Sequence, residues 1–320
     1  ASPGGSSGGA SAAVMSGMGS LAHGNDIAGS LRIPSTATGA CTVKPGLGRV
    51  PAYNPSQTQE RGLIAQLMSV QGVIAREIKD VRLGMQSLIN YDPRDPWMVE
   101  MPFQSKEIKA PIKVGFTKET LGEPLHPAIN KAIENAIDAL KDAGYILEEI
   151  ELPEFEDAAN FSAKTLFGEI KALHEKDYKN LGSENFNLVA ENYFKIISPF
   201  EGEDLLLGMA KRSYFFREWN LFFRKYPLVL TPFLLYPTYE WNRDIQGLEG
   251  TKEVLAGMFY AHTMNYMGIP AGVVSANYNE GLPVGVQIIS TRFREDIILN
   301  ACEEIEKRVG IMAEKLFERG

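Results

Sequence analysis

The sequence predicts an α/β protein in which helices pack on the faces of one mixed β-sheet. Amphipathic helical stretches alternate with short apolar runs, which is typical of layered α/β folds. Residues 113–152 have the pattern of strand, helix and strand, a unit whose two strands lie parallel through a right-handed crossover. Two apolar runs, 269–276 and 282–290, are close enough to form an antiparallel hairpin. One parallel unit and one hairpin together predict a sheet of mixed strand direction.

The elements before residue 100 follow from composition and spacing. The small, uncharged residues 10–22 predict a buried helix, and residues 40–45 predict a short strand. In residues 76–90, apolar side chains recur every three or four positions, as they do on one face of a helix. The prolines that follow end this helix, because proline disfavours the helical conformation of the residue before it.

After residue 100, helical and apolar segments alternate more regularly. The predicted elements are a strand at 113–117, a helix at 126–143, strands at 145–152 and 227–235, a helix at 251–267, the two hairpin strands, and a closing helix at 295–317. Residues 154–226 are helical and rich in aromatic side chains. We expect most of these aromatics to belong to an ordinary core and some to line a substrate pocket, because ligand sites are mostly apolar.

Two serines near the start of the chain lie in glycine-dense segments. Ser6 lies within the run 4–9, and Ser30 follows soon after, flanked by Asp26 and Arg32. Glycines allow backbone N–H groups to crowd around a small anion, so such a serine is a candidate nucleophile and the amides a candidate oxyanion hole. A Gly/Ser run alone is more typical of a flexible linker. Here it leads directly into an uncharged, Ala-rich segment, which favours the catalytic interpretation.

Together the two sites resemble the signature region of the amidase signature family of serine hydrolases. The match continues, in order, through Val43-Lys44-Pro45, Gly48-Arg49-Val50-Pro51, Gly72, Ala75-Arg76, Asp80, Leu230-Thr231-Pro232, Asn265, Gly268-Ile269-Pro270-Ala271-Gly272 and Gly281-Leu282-Pro283-Val284-Gly285-Val286-Gln287. It covers nearly the whole chain except a divergent stretch from about 154 to 224. The resemblance implies a layered α/β/α fold with a central mixed, mostly parallel sheet flanked by helices.

The resemblance also implies a role for each signature residue. The family uses a Ser–Ser–Lys triad, in which Ser30 matches the nucleophile and Ser6 the serine that relays a proton, with a cis peptide bond entering Ser6. Asp26 and Arg32 match an ion pair that fixes the loop, and Ser7 is a further supporting residue. The backbone N–H groups that match the oxyanion hole are those of Ile27, Ala28, Gly29 and Ser30. Ala28 replaces the usual glycine, so we expect it to have a negative φ.

The family's catalytic lysine lies several tens of residues before the Gly-Ser motif, whereas this chain begins five residues before Ser6. We therefore expect the lysine base upstream of this chain. Lys44, the nearest lysine downstream, matches a structural lysine of the family, and as a substitute base it is the weaker alternative. A Ser–His arrangement of His23 with Ser30 is another weak alternative.

The domain organisation follows from the same match. We expect residues 1–320 to form a single amidase-type domain that lacks its N-terminal portion. Residues 1–52 are its signature core, and residues 154–226 form the divergent aromatic region near the substrate pocket.

Composition excludes several other classes of protein. The net charge is −8 with no basic stripe, which argues against a nucleic-acid partner. Cys41 and Cys302 stand far apart, and the four histidines show no metal-ligand spacing, so we expect no disulfide framework, no metal and no cofactor. The chain shows no signal peptide and no apolar run of about 18 residues, so we expect a cytoplasmic protein without a membrane partner.

Three functions fit this sequence. The first is an amidase that hydrolyses a small carboxylic amide, or a related aryl amide, carbamate or ester, through an acyl-enzyme on Ser30. The second is the transamidating subunit of an amidotransferase, and the third is an inactive fragment without its lysine. The segment after Lys44 is more similar to the stand-alone amidases, which favours the first. Family analogy further implies a homodimer.

Overall fold

The computed structural model describes residues 1–318, and its strands form one sheet. They are β1 (Leu21–Asp26), β2 (Cys41–Lys44), β3 (Val70–Ala75), β4 (Lys113–Phe116), β5 (Ile146–Glu149), β6 (Leu228–Pro232), β7 (Ala271–Asn279) and β8 (Leu282–Ile289). The order across the sheet is β1-β3-β2-β7-β8-β6-β4-β5. The helices are α1 (Gly8–Met15), α2 (Arg32–Thr38), α3 (Leu63–Met68), α4 (Ile78–Leu88), α5 (Pro127–Asp142), α6 (Phe155–Leu181), α7 (Glu184–Ile197), α8 (Gly202–Phe223), α9 (Gly247–Ala256), α10 (Phe259–Met267), α11 (Glu295–Val309) and α12 (Met312–Phe317).

Helices cover both faces of the sheet, which confirms the layered α/β/α prediction. One buried cluster joins the sheet to α4, α5 and α11, and a second joins it to α3, α6, α8 and α10. In β6, Leu228 and Leu230 belong to the first cluster and Val229 to the second. This alternation arises because successive side chains of a strand point to opposite faces.

The mixed strand direction is confirmed, but the expectation of a mostly parallel sheet is wrong. Only β4 pairs in parallel, with β5 and with β6, while the other five of the seven pairings in the described chain are antiparallel. Strands can run parallel only when a long crossover returns the chain, as α5 does between β4 and β5. By contrast, Glu280 and Gly281, both with positive φ, make a two-residue turn that fixes β7 and β8 as an antiparallel hairpin.

Three of the errors in the predicted element bounds occur at glycines. The helix predicted at 10–22 ends at Met15, and residues after Gly17, which has a φ of 80°, form β1 instead. The helix predicted at 251–267 is two helices, α9 and α10, separated at Gly257. The closing helix also divides into α11 and α12, because Gly310 adopts a φ of 88°. The βαβ unit and the hairpin lie where the sequence predicts them.

The aromatic region contributes both to the core and to the surface of a cavity. Residues 154–226 form α6, α7 and α8, and among their aromatics Phe215 and Trp219 are buried in the second cluster. Phe167 and Tyr193 instead line a cavity and contact each other edge to face, with their ring centroids 5.4 Å apart. Within residues 1–318, no helix is long and apolar enough to cross a membrane.

Candidate active site

Two loops bring the two signature serines together. Ser30 lies in the segment 27–31 between β1 and α2, which we call the signature loop, and Ser6 lies just before α1. The N–H of Ser7 donates a hydrogen bond to the carbonyl of Ser30 at 3.2 Å, so the loops are in direct contact. The peptide bond between Gly5 and Ser6 is cis. Ser7 thus supports the loop through its backbone, while its hydroxyl lies 3.4 Å from the carbonyl of Asn25.

Ser6 and Ser30 line one cavity of about 760 Å³, which we call the serine cavity. Its walls come from α6, α7, α9 and α10 and from the segment 239–244. Most of the wall is aliphatic or aromatic, as at Phe167 and Ile197, and the lining also includes the two serines and charged side chains such as Arg243 and Lys252. Such a cavity can hold the apolar part of a ligand while the polar end of the same ligand contacts the serines.

Asp26 and Arg32 form a buried ion pair at the base of the signature loop. The Arg32 Nε lies 3.0 Å from Asp26 Oδ2, and its Nη2 lies 3.0 Å from Oδ1, with both side chains fully buried. Burial alone would raise the pKa of Asp26, but the Arg32 guanidinium outweighs it and holds that pKa below its usual value. The same carboxylate accepts the N–H groups of Gly29 and Leu31, so the ion pair also fixes the loop backbone.

Two residues to which sequence reasoning assigned no role complete this network. Arg32 Nη1 donates to Gln287 Oε1 at 2.7 Å, and its Nη2 donates to Asn265 Oδ1 at 2.5 Å. The Asn265 amide in turn donates to the carbonyls of Asp26 and Met68, each at 2.9 Å. The available signal was a buried amide within an apolar run, because such a group needs hydrogen-bond partners.

The four amides assigned to the oxyanion hole differ in the structure. The N–H of Gly29 donates to Asp26 Oδ1 at 2.7 Å, so this amide braces the loop, which differs from its predicted place in the oxyanion hole. Within residues 1–318 no hydrogen bond is found from the N–H groups of Ile27, Ala28 or Ser30, and the last two residues line the serine cavity. Ala28 has no positive φ, as expected for a non-glycine residue at that position.

The structure does not bring the two alternative bases to the serine cavity. Lys44 is fully buried in β2, where its Nζ donates to the carbonyl of Pro45 at 2.9 Å. Burial, followed by repulsion from Arg32, lowers the pKa of Lys44 to about 7, yet Lys44 does not line the cavity. His23 lies exposed on β1, opposite Val73 of β3, and it does not line the cavity either. In the described part of the chain, no group of three or more His, Cys, Asp or Glu side chains could hold a metal ion.

A match over most of the sequence identifies the family of this chain. A family model described as Amidase matches residues 1–299. The chain belongs to this amidase family. The signature loop, the Ser6 loop and the braces at Asn265 and Gln287 all lie within the matched range.

Curated members of the amidase family are similar to nearly all of this chain. The chain is 38% identical over 316 residues to an indoleacetamide hydrolase of Bradyrhizobium diazoefficiens, a match that covers 98% of this chain and 60% of that protein. It is 26% identical to a glutamyl-tRNA(Gln) amidotransferase subunit of Methanosarcina mazei, over 95% of this chain and 68% of that protein. The chain therefore spans about 60% of the length of the first of these relatives.

Solved amidase structures share the fold. The structure of 6-aminohexanoate cyclic dimer hydrolase in complex with its substrate superposes with a TM-score of 0.78 at 22% identity. The superposition covers 96% of this chain and 68% of that one. At 22% identity this comparison shows that the two chains share a fold. The chemistry of this chain has to be inferred from its own site residues.

Proposed function

We propose that this chain carries the nucleophile, the proton relay and the oxyanion hole of an amidase that hydrolyses a small carboxylic amide. One observation carries the proposal: Ser6 and Ser30, from two separate loops, line the same cavity beside backbone amides that have no partner among the described residues. The family match supports it, because the matched residues include both loops.

In the proposed reaction, Ser30 Oγ attacks the carbonyl carbon of the amide. Its proton passes to Ser6 Oγ as the proton of Ser6 passes on to a base, a role that the lysine has in the Ser–Ser–Lys triad of the amidase signature family. The proton then returns by the same relay to the departing nitrogen, which leaves as ammonia or an amine. Water attacks the resulting ester of Ser30, releases the carboxylic acid and restores the serine.

The transition state for attack carries negative charge on the carbonyl oxygen. We assign its stabilisation to the N–H groups of Ile27, Ala28 and Ser30, which are free of other partners in the described structure. Removing one such donor typically slows an acyl-transfer enzyme by about 10²–10³-fold. The Asp26–Arg32 pair contributes indirectly, because it holds the loop in the conformation that presents these amides.

The shape of the serine cavity favours an aromatic acyl group. A space of about 760 Å³ with walls such as Phe167 and Phe259 is far larger than acetamide needs. Burying an aromatic ring in it would remove apolar surface from water, which stabilises the complex. We therefore propose primary arylacetamides as the substrate class, a choice that the indoleacetamide hydrolase relative supports.

Ammonia release by the whole polypeptide that contains this chain tests the proposal. We expect hydrolysis of indole-3-acetamide and phenylacetamide, with kcat/KM at least about tenfold above that for acetamide, because acetamide leaves the apolar wall without contacts. Release of ammonia from none of these amides would contradict the amidase assignment. A kcat/KM for acetamide comparable to that for the arylacetamides would be consistent with an amidase but would contradict the proposed substrate class.

A further inference from the structure

A histidine lies in the wall of the serine cavity, next to the signature loop. His262, in α10, lines the same cavity as Ser6 and Ser30. Its neighbour Ala261 packs against the signature loop, since a Cβ added to Gly29 would lie 2.8 Å from the Ala261 Cβ. The carbonyl of Ala261 also accepts a hydrogen bond from Arg32 Nη2 at 2.9 Å. The backbone that carries His262 is therefore fixed relative to Ser30.

A buried hydroxyl lies within hydrogen-bond distance of one ring nitrogen of His262. Ser162 Oγ, fully buried in α6, lies 2.5 Å from His262 Nδ1 and donates its own proton to the carbonyl of Ala159 at 2.9 Å. Thr263 also lies near Ser162, but its hydroxyl donates to the carbonyl of Phe259 at 2.6 Å. We assign the proton of His262 to Nδ1, because Ser162 then accepts from Nδ1–H while its own proton goes to the carbonyl of Ala159. His262 Nε2 is then the nitrogen that carries a lone pair.

The ring of His262 stays uncharged over the working range of pH. Burial, followed by repulsion from Arg32, lowers the pKa of His262 to about 3. Neutral imidazole with a proton on Nδ1 has Nε2 as an acceptor. Within residues 1–318, no hydrogen bond to His262 Nε2 is found. When a ligand displaces water from this acceptor, the acceptor loses its hydrogen bond unless the ligand supplies a donor. A ligand with an N–H or O–H group at this position is therefore favoured.

We propose that His262 is a specificity-determining residue whose Nε2 accepts a hydrogen bond from an N–H or O–H group on the aromatic part of the substrate. Ser162 is its positioning residue, because it holds the proton on Nδ1. The inference rests on the proposed function and narrows its substrate class to arylacetamides that carry such a donor. A site built to accept a hydrogen bond discriminates against analogues that lack the donor, because the buried acceptor is then left unpaired.

Ligand binding tests this inference without any need for turnover. The experiment uses the whole polypeptide in a Ser30→Ala background and measures calorimetric Kd values for indole-3-acetamide and benzofuran-3-acetamide, which differ in one N–H. We expect the indole to bind about 10- to 100-fold more tightly. His262→Phe should bring this ratio to about one, and Ser162→Ala should lower it part of the way. His174→Phe is the matched control, because His174 is exposed on α6 and does not line the cavity.

A conservative variant separates hydrogen bonding from packing. His262→Gln keeps an acceptor and should retain part of the preference that His262→Phe loses, which also covers the case in which the phenylalanine variant fails to fold. An unchanged ratio in His262→Phe, or an equal loss of affinity for both ligands in both His262 variants, would overturn the inference.

Together with ammonia release by the protein that keeps Ser30, these binding data distinguish this inference from the proposed function. Preferential binding of the indole that depends on His262, in a protein that releases no ammonia, would refute the amidase proposal and leave the recognition role intact. Hydrolysis of both amides with a ratio of kcat/KM that is insensitive to His262→Phe would do the reverse.

Discussion

The signature loop and the wall of the serine cavity lie side by side but are built in opposite ways. In the loop, the Asp26 carboxylate accepts hydrogen bonds from Gly29, Leu31 and Arg32, so charge and geometry fix the loop backbone. The wall combines packing, such as the contact of Phe167 with Tyr193, with a hydrogen bond between Ser162 and His262. Polar bracing needs particular residues at particular spacings, whereas packing needs only the right volume. The loop is therefore suited to chemistry and the wall to selection of the acyl group.

The largest expected effect lies in the signature loop. Ser30→Ala should lower kcat for arylacetamides at least about 10⁴-fold, because no other group would form the acyl-enzyme. Ser6→Ala should also lower kcat by orders of magnitude, through loss of the relay. Ammonia release measures both, and thermal unfolding should show an intact fold. Ser16→Ala, at the exposed position that follows α1, is the serine control, and turnover in Ser30→Ala equal to that of the parent would refute the assignment.

The next effect is on stability, and it tests whether the loop depends on its buried charges. Arg32→Met leaves the Asp26 carboxylate buried without its partner, which should cost about 3–5 kcal/mol of the free energy of unfolding. Urea denaturation of the whole polypeptide measures the loss. Arg94→Met is the matched control, because the Arg94–Asp92 pair is a surface ion pair at 2.6 Å. We expect a much smaller loss there, and equal losses in the two variants would contradict the bracing role.

The signature loop could be predicted from the sequence, because its functional residues lie close together along the chain. Ser30, Asp26 and Arg32 lie within seven residues of one another, so their spacing alone indicates a shared role. The braces at Asn265 and Gln287 lie more than 230 residues away along the chain, and only folding brings them to Arg32. Sequence reasoning therefore identified the loop and its Asp26–Arg32 pair, but assigned no role to Asn265 and Gln287, which support Arg32.

Elements whose form depends on tertiary packing were harder to predict. β1 was missed because its residues, Leu21–Asp26, include glycine, asparagine and aspartate, which are depleted in strands. Pairing with β3 at the edge of the sheet overrides that preference. Likewise, the sequence could not tell which aromatics of residues 154–226 face the cavity, because that depends on how α6, α7 and α8 pack.

A smaller effect is expected from the wall, and on selectivity rather than stability. Phe167→Ala should raise KM for arylacetamides about tenfold, because it removes apolar contact with the ring. The KM for acetamide should change far less, since acetamide does not reach this side chain. Steady-state kinetics with both amides measure the split. An equal fall in kcat for acetamide and for the arylacetamides would mean that Phe167 affects the position of the serines and not the binding of the acyl group.

The smallest effect is expected at His23, beside the loop but outside the cavity. His23→Ala should change kcat/KM by less than about twofold, as do most surface substitutions away from a site. A fall in kcat/KM of several orders of magnitude would instead support the alternative in which His23 acts as the base for Ser30.

The central claim is that the signature loop of this chain carries the nucleophile. Labelling the whole polypeptide with a fluorophosphonate, followed by peptide mass spectrometry, tests it most directly, because only an activated serine reacts at an appreciable rate. The account predicts a single phosphonyl adduct on the peptide that contains Ser30, and its loss in Ser30→Ala. An adduct on another residue, or labelling that persists in Ser30→Ala, would contradict the account.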